Sequence, residues 1–135
     1  MSIDRLADLT NASAAPRLVL KVGSSLLVGQ GGAVRVGWLE SLVAEIAAAR
    51  GRGQEVIVVS SGAIALGAAR LGLAKGGRAS LADAQAAAAV GQIALASLWA
   101  VKLAAHGLAA AQLLVTIEDL EDRRRYLNAA ATLAT

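Results

Sequence analysis

Lys21-Val-Gly-Ser-Ser25 puts a cation, a glycine and two hydroxyls side by side. Phosphoryl chemistry uses groups of this kind. Gly23 lets a backbone approach a phosphate with no Cβ in the way. Gly23, Ser24 and Ser25 offer N–H and hydroxyl donors to phosphate oxygens. Lys21 supplies a mobile positive charge for a transferring phosphoryl group. A lysine next to last in an apolar strand carries a desolvation cost unless it is needed there. The lysine precedes the glycine, so the G-x-x-x-x-G-K phosphate loop is absent. An ordinary strand-to-turn junction accounts for the same residues. A second segment, Val58-Val-Ser-Ser-Gly-Ala-Ile64, also runs from apolar residues into small ones. The N–H groups of Gly62 and Ala63 at a helix start can hold an anion. Ser61 can reach a carboxylate or phosphate, or simply cap the helix. G-x-S-x-G is absent, which argues against a nucleophile elbow.

These loops need elements behind them. Arg17–Val22 reads as a buried strand ending at Gly23. From about Val36 to Arg50, Leu39, Leu42, Val43, Ile46 and Ala47 fall at helical spacing, and Gly51 and Gly53 follow. Glu55–Ser60 is a second strand, β-branched and nearly continuous, as in a covered parallel sheet. Ala63 to Leu71 predicts a helix stopped at Gly72, and Leu81 to about Ala105 a long alanine-rich one. Leu108 to Val115 is a third strand candidate. Thr116, with Asp119 three residues on, starts a last helix from about Asp119. Alternation of this kind implies a parallel sheet with helices on both faces. Each loop then lies at a carboxyl strand end, where α/β sheets place ligands.

The bulk composition narrows the classes. The 135 residues are 56% hydrophobic and 17% charged, which excludes a disordered chain. A net charge of +3 comes from scattered residues. Arg123–Arg125 follows Glu118, Asp119, Glu121 and Asp122, and this run reads as a solvated helix start. With Trp38, Trp99 and Tyr126 as the only aromatics, no nucleic-acid surface is expected. The absence of cysteine removes a disulfide framework and a Cys nucleophile. His106, the single histidine, precedes Gly107 at a helix end and is read as a capping residue. No residue is assigned to a metal. Residues 1–16 lack an apolar core behind a basic start, so a signal peptide is not expected. The uncharged run from Ala84 to Val101 is read as a buried helix, not a membrane span.

Four segments carry a resemblance. Lys21-Val-Gly-Ser-Ser-Leu-Leu27, Val58 to Gly67, Ala89-Val-Gly-Gln92 and Glu121-Asp-Arg-Arg-Arg-Tyr-Leu-Asn-Ala129 resemble, in order and spacing, the glutamate 5-kinases of the amino-acid kinase family. The resemblance implies a three-layer αβα sandwich with a mainly parallel sheet, here incomplete. Residues 1–16 form a leader, and 17–135 the N-terminal, amino-acid-binding part of the domain. The implied reaction moves the ATP γ-phosphate, with Mg²⁺, to the side-chain carboxylate of L-glutamate, the first step toward proline. By motif position Lys21 stabilises the transferring group, Gly23 and Ser24 line the phosphate path, and Ser61, Gly62 and Ala63 hold glutamate. A cytoplasmic homo-oligomer without nucleic-acid or membrane partners is implied. Ala84 and Ala130 depart from the family's Lys and Arg. The family's remaining substrate and adenine residues lie beyond Thr135, so the chain is expected to be truncated and inactive alone. A non-catalytic anion-binding or oligomerisation module is the alternative.

Overall fold

The computed structural model describes residues 3–135. Two strands organise it. β1 (Arg17–Val22) and β2 (Glu55–Ser60) pair in parallel, from Arg17↔Glu55 to Val22↔Ser60. Both fall on the residues expected from their apolar runs. Side chains alternate across a strand. Leu20, Val22, Val56 and Val58 therefore turn toward the core, while Val19 and Val59 stand outward, 63% and 51% exposed. Lys21 is on the outward face and is exposed.

Every packed helix lies against the inward face. The one-turn helix α1 (Ser24–Leu27) contributes Leu27, and α2 (Val36–Gly51) contributes Leu39, Val43 and Ile46. α3 (Ala63–Leu71) adds Leu66, and α4 (Leu81–Ala104) adds Leu95 and Trp99. The expected αβα sandwich is thus represented by a parallel pair and one helical layer. The second face is exposed at Val19, Lys21 and Val59, with Ile57 half-buried between the strands.

Three expectations about elements are corrected. Leu108–Val115 is not a strand: it forms no ladder, and Leu113, Leu114 and Val115 are exposed. Extended backbone becomes a strand only where a neighbour accepts its hydrogen bonds. The last helix is two helices, α5 (Ile117–Glu121) and α6 (Arg123–Ala134), split where Asp122 takes an extended conformation and caps Arg125 N–H. Neither buries a residue. The uncharged helix is not buried throughout. Ala87, Gly91, Leu95 and Trp99 form a buried stripe on α4, whereas Ile93 and Val101 are 73% and 65% exposed. By length and composition alone α4 could cross a membrane. Its four-residue stripe instead packs within the fold, chiefly on α3.

That packing depends on two glycines. A Cβ on Gly67 would collide with the Ala87 carbonyl, and one on Gly91 with the Ala63 carbonyl and the Gly67 amide. The helices cross backbone to backbone, closer than any side chain allows.

A buried polar side chain ties the residues before β1 to the strand pair. A 3₁₀ turn, Leu6–Thr10, precedes β1. Gln54 is fully buried and donates to Leu9 O (2.8 Å) and Ala15 O (2.7 Å), while accepting from Arg52 Nε (3.0 Å).

At α5 the expected cap is present in reciprocal form. The Thr116 N–H and hydroxyl donate to Asp119 Oδ2 at 2.7 and 2.9 Å, and Asp119 N–H returns to Thr116 Oγ1 at 3.3 Å. The Thr116 N–H bond first, then its hydroxyl and the Arg125 charge, hold the Asp119 carboxyl below the ordinary aspartate value. A depressed folded value means the cap is strengthened above the unfolded pKa and weakened as pH falls through the folded one. We expect an NMR titration of Asp119 to show a lowered midpoint that rises in Thr116→Ala. An unshifted midpoint in the parent chain would count against the cap.

Candidate active site: two loops at one end of the strand pair

The turn after β1 and the turn after β2 emerge beside each other. Ser61 N–H donates to Val22 O at 3.0 Å, continuing the parallel ladder one step, and the Ser61 hydroxyl reaches the same carbonyl at 3.3 Å. This double contact ties the second loop to the first. Gly62 sits against Leu27, Val28 and the Ser24 backbone. Its φ of 120° and ψ of −3° are open to glycine and strained for other residues. The chain needs glycine here to turn from β2 into α3.

That turn leaves the α3 N-terminus open. The cap is Gly62, not Ser61, and it supplies no side-chain hydrogen bond. No acidic residue lies in the first turn. Leu66 N–H closes onto Gly62 O at 3.0 Å. The N–H groups of Ala63, Ile64 and Ala65 then have no acceptor within the helix. Such groups, with the helix dipole behind them, attract an anion. The serine that could have capped them is directed to Val22 instead.

Gly23 behaves differently. Its φ of −70° and ψ of 154° suit any residue, and a Cβ would meet nothing within 4 Å. The fold itself does not require glycine at this position, and the space above the β1 turn is open. Gly23 and Ser24 are half-buried and Ser25 is exposed. Lys21 departs from expectation in one respect. It lies on the outward face beside Val59, its ladder partner, so the argument from a buried lysine does not apply. Among the described residues it has no ion-pair partner. The strand end thus presents a free cation on one side and an open helix N-terminus on the other.

Sequence reading missed two supports. Trp99 Nε1 donates to Ser60 Oγ at 3.0 Å, holding the last residue of β2 to α4. Gly91 admits the Ala63 carbonyl, so α4 also sets the height of the α3 start. The second support was signalled by a glycine in mid-helix, which costs about 1 kcal/mol against alanine unless packing requires it.

The amino acid kinase family description matches residues 16–135. The chain belongs to the amino acid kinase family. Its curated relatives include a glutamate 5-kinase of Novosphingobium aromaticivorans, 73% identical over 135 residues, covering 100% of this chain and 36% of the relative. A glutamate 5-kinase of Sphingopyxis alaskensis is 69% identical over 118 residues, covering 87% and 32%. One of Zymomonas mobilis is 62% identical over 118 residues, covering 87% and 30%. The chain therefore spans about a third of the length of these amino acid kinase relatives. Of the segments that carried the resemblance, the first two are the loops tied at Ser61. Ala89-Val-Gly-Gln92 contains the glycine of the helix crossing.

Proposed function

We propose that this chain supplies the amino-acid and phosphate loops of an ATP-dependent kinase that converts L-glutamate to L-glutamate 5-phosphate. The observation that carries the reading is the pair of loops joined at Ser61 and Val22, one with an open helix N-terminus and one with unobstructed glycine and serine donors. The names of the relatives, all glutamate 5-kinase, support the choice of substrate. In this reading Ser61, Gly62 and Ala63 hold glutamate, and Gly23 and Ser24 line the phosphate path. Lys21 meets the nucleotide phosphates from the outward face of the sheet.

The chemistry asks little of the protein beyond placement. A carboxylate is already ionised at neutral pH. One of its oxygens attacks the γ-phosphorus, the bond to the β-phosphate oxygen breaks, and ADP leaves with that electron pair. Catalysis is then positioning and charge stabilisation, with no covalent enzyme intermediate. Among the described residues no group of three His, Cys, Asp or Glu could hold a metal ion. These side chains thus form no cage for Mg²⁺, which would arrive on the nucleotide phosphates. Turnover is assigned to a kinase of the relatives' full length, of which this chain spans about a third. The reading further includes a place at the first step toward proline, a cytoplasmic setting and homo-oligomeric assembly, without nucleic-acid or membrane partners.

Calorimetry tests it. We expect L-glutamate to bind the 135-residue chain without ADP release, and Ser61→Ala to weaken binding about tenfold. Binding of ATP but not glutamate would overturn the assignment of the second loop.

A further inference from the structure

The helix α4 anchors the second loop at both of its ends. Trp99 lies in the core, 8% exposed, and its indole Nε1 donates to Ser60 Oγ at 3.0 Å. About two turns earlier on the same helix, Gly91 admits the Ala63 carbonyl. Ser61 and Gly62 are the two residues between these anchors.

The bonds at the first anchor run in one direction. An indole N–H can only donate, so Ser60 Oγ accepts from Trp99 and keeps its own proton for another acceptor. That acceptor is the Ser61 carbonyl, 3.3 Å away. The Ser61 N–H and hydroxyl go to Val22 O. The peptide between Ser61 and Gly62 is trans, so its C=O and N–H point opposite ways. Drawing the Ser61 carbonyl toward Ser60 therefore turns the Gly62 N–H away from it. Among the described residues that N–H meets no acceptor. Glycine has the widest choice of backbone conformations, so a peptide beside it keeps one orientation only when something outside holds it.

We propose that Trp99 is a positioning residue for the amino-acid substrate. Through the Ser60 hydroxyl it orients the Ser61–Gly62 peptide so that the Gly62 N–H faces the ligand. The proposal rests on the reading of this loop as the one that holds glutamate. Filling the core asks only for an aromatic ring, and phenylalanine would serve. The indole adds an N–H that needs a partner once buried. Ser60 is that partner, and it passes the constraint on to the loop. The two residues are 39 apart in sequence, so the chain alone gives no sign of the connection.

The test compares the 135-residue chain with Ser60→Ala, Ser60→Thr, Trp99→Phe and the Ser60→Ala/Trp99→Phe pair. Ile46→Val, a core change on α2, is the control for loss of stability alone. Thermal melts first show that each folds. Calorimetry then gives the affinity for L-glutamate, and NMR gives the Gly62 amide shift without ligand. We expect Ser60→Ala and Trp99→Phe each to weaken glutamate about fivefold and to move the Gly62 amide in the same direction. The pair should be no worse than the weaker single variant, because both changes break one chain of bonds. Ser60→Thr keeps the hydroxyl and should bind as the parent does, and Ile46→Val should melt lower with its affinity unchanged. Unchanged affinity in both Ser60→Ala and Trp99→Phe would overturn the positioning role and leave the glutamate reading standing. An equal loss in Ile46→Val, or a loss with an unmoved Gly62 amide, would show a merely structural effect and overturn it too. A parent chain with no response to glutamate removes the reading and the positioning role together.

Discussion

Gly91→Ala should destabilise the chain by about 3 kcal/mol, near the upper end for overpacking. The melting midpoint should fall by roughly 10 °C. The size follows from what the new Cβ meets. Its neighbours are the Ala63 carbonyl and the Gly67 amide, which are backbone and cannot rotate away. The only relief is to part α3 from α4, and that unseats Leu66, Leu95 and Trp99 from the core. Gly67→Ala should act alike, because its Cβ runs into the Ala87 carbonyl. The double substitution should cost less than the sum, since helices already parted have room for both methyl groups. Gly37→Ala is the control. Gly37 lies in α2 with nothing within 4 Å of its Cβ position, and alanine there should stabilise by about 0.5–1 kcal/mol. Denaturant melts of the four variants decide the matter. A Gly91→Ala chain as stable as its parent would refute the backbone crossing.

Gln54→Leu should cost about 2–3 kcal/mol. Leucine fills a similar volume but leaves the carbonyls of Leu9 and Ala15 without the donor they share. Gln54→Glu should be at least as harmful, since a carboxylate would then face two carbonyl oxygens. The loss should appear locally as well as globally. Residues 6–15 are held to the strand pair by this amide, so limited proteolysis should cut there first in either variant. Equal cutting rates in variant and parent would mean that the leader is held by other contacts.

What could be read from the sequence follows a physical division. β1 and β2 were legible to the residue because apolar runs stopped by glycine are local signals. Thr116 and Asp119 were legible for the same reason, since a capping box closes within one turn. The position of the two loops was legible from their small residues and their place after strands. The role of Ser61 was not. Its hydroxyl goes to Val22 on another strand, and a serine before a helix looks the same whether it caps or not. The exposure of Lys21 was hidden too, because an apolar strand does not reveal which of its faces is covered. Nothing local marks Gln54, and only the fold brings Leu9 and Ala15 to it. Leu108–Val115 shows the reverse error, where strand-like composition met no partner.

The pairing of β1 with β2 joins residues 38 positions apart, as in Arg17 with Glu55. The α3–α4 crossing, in contrast, forms between consecutive helices. Contacts closer in sequence are made at a lower entropic cost of loop closure, so the helix pair is expected to form ahead of the strand ladder. The Ser61 contact to Val22 lies at the open end of that ladder. Strand ends open more readily than packed helices, so the two loops are expected to part before α3 leaves α4. Ligand held between them would act as a clasp across the strand end and oppose that opening.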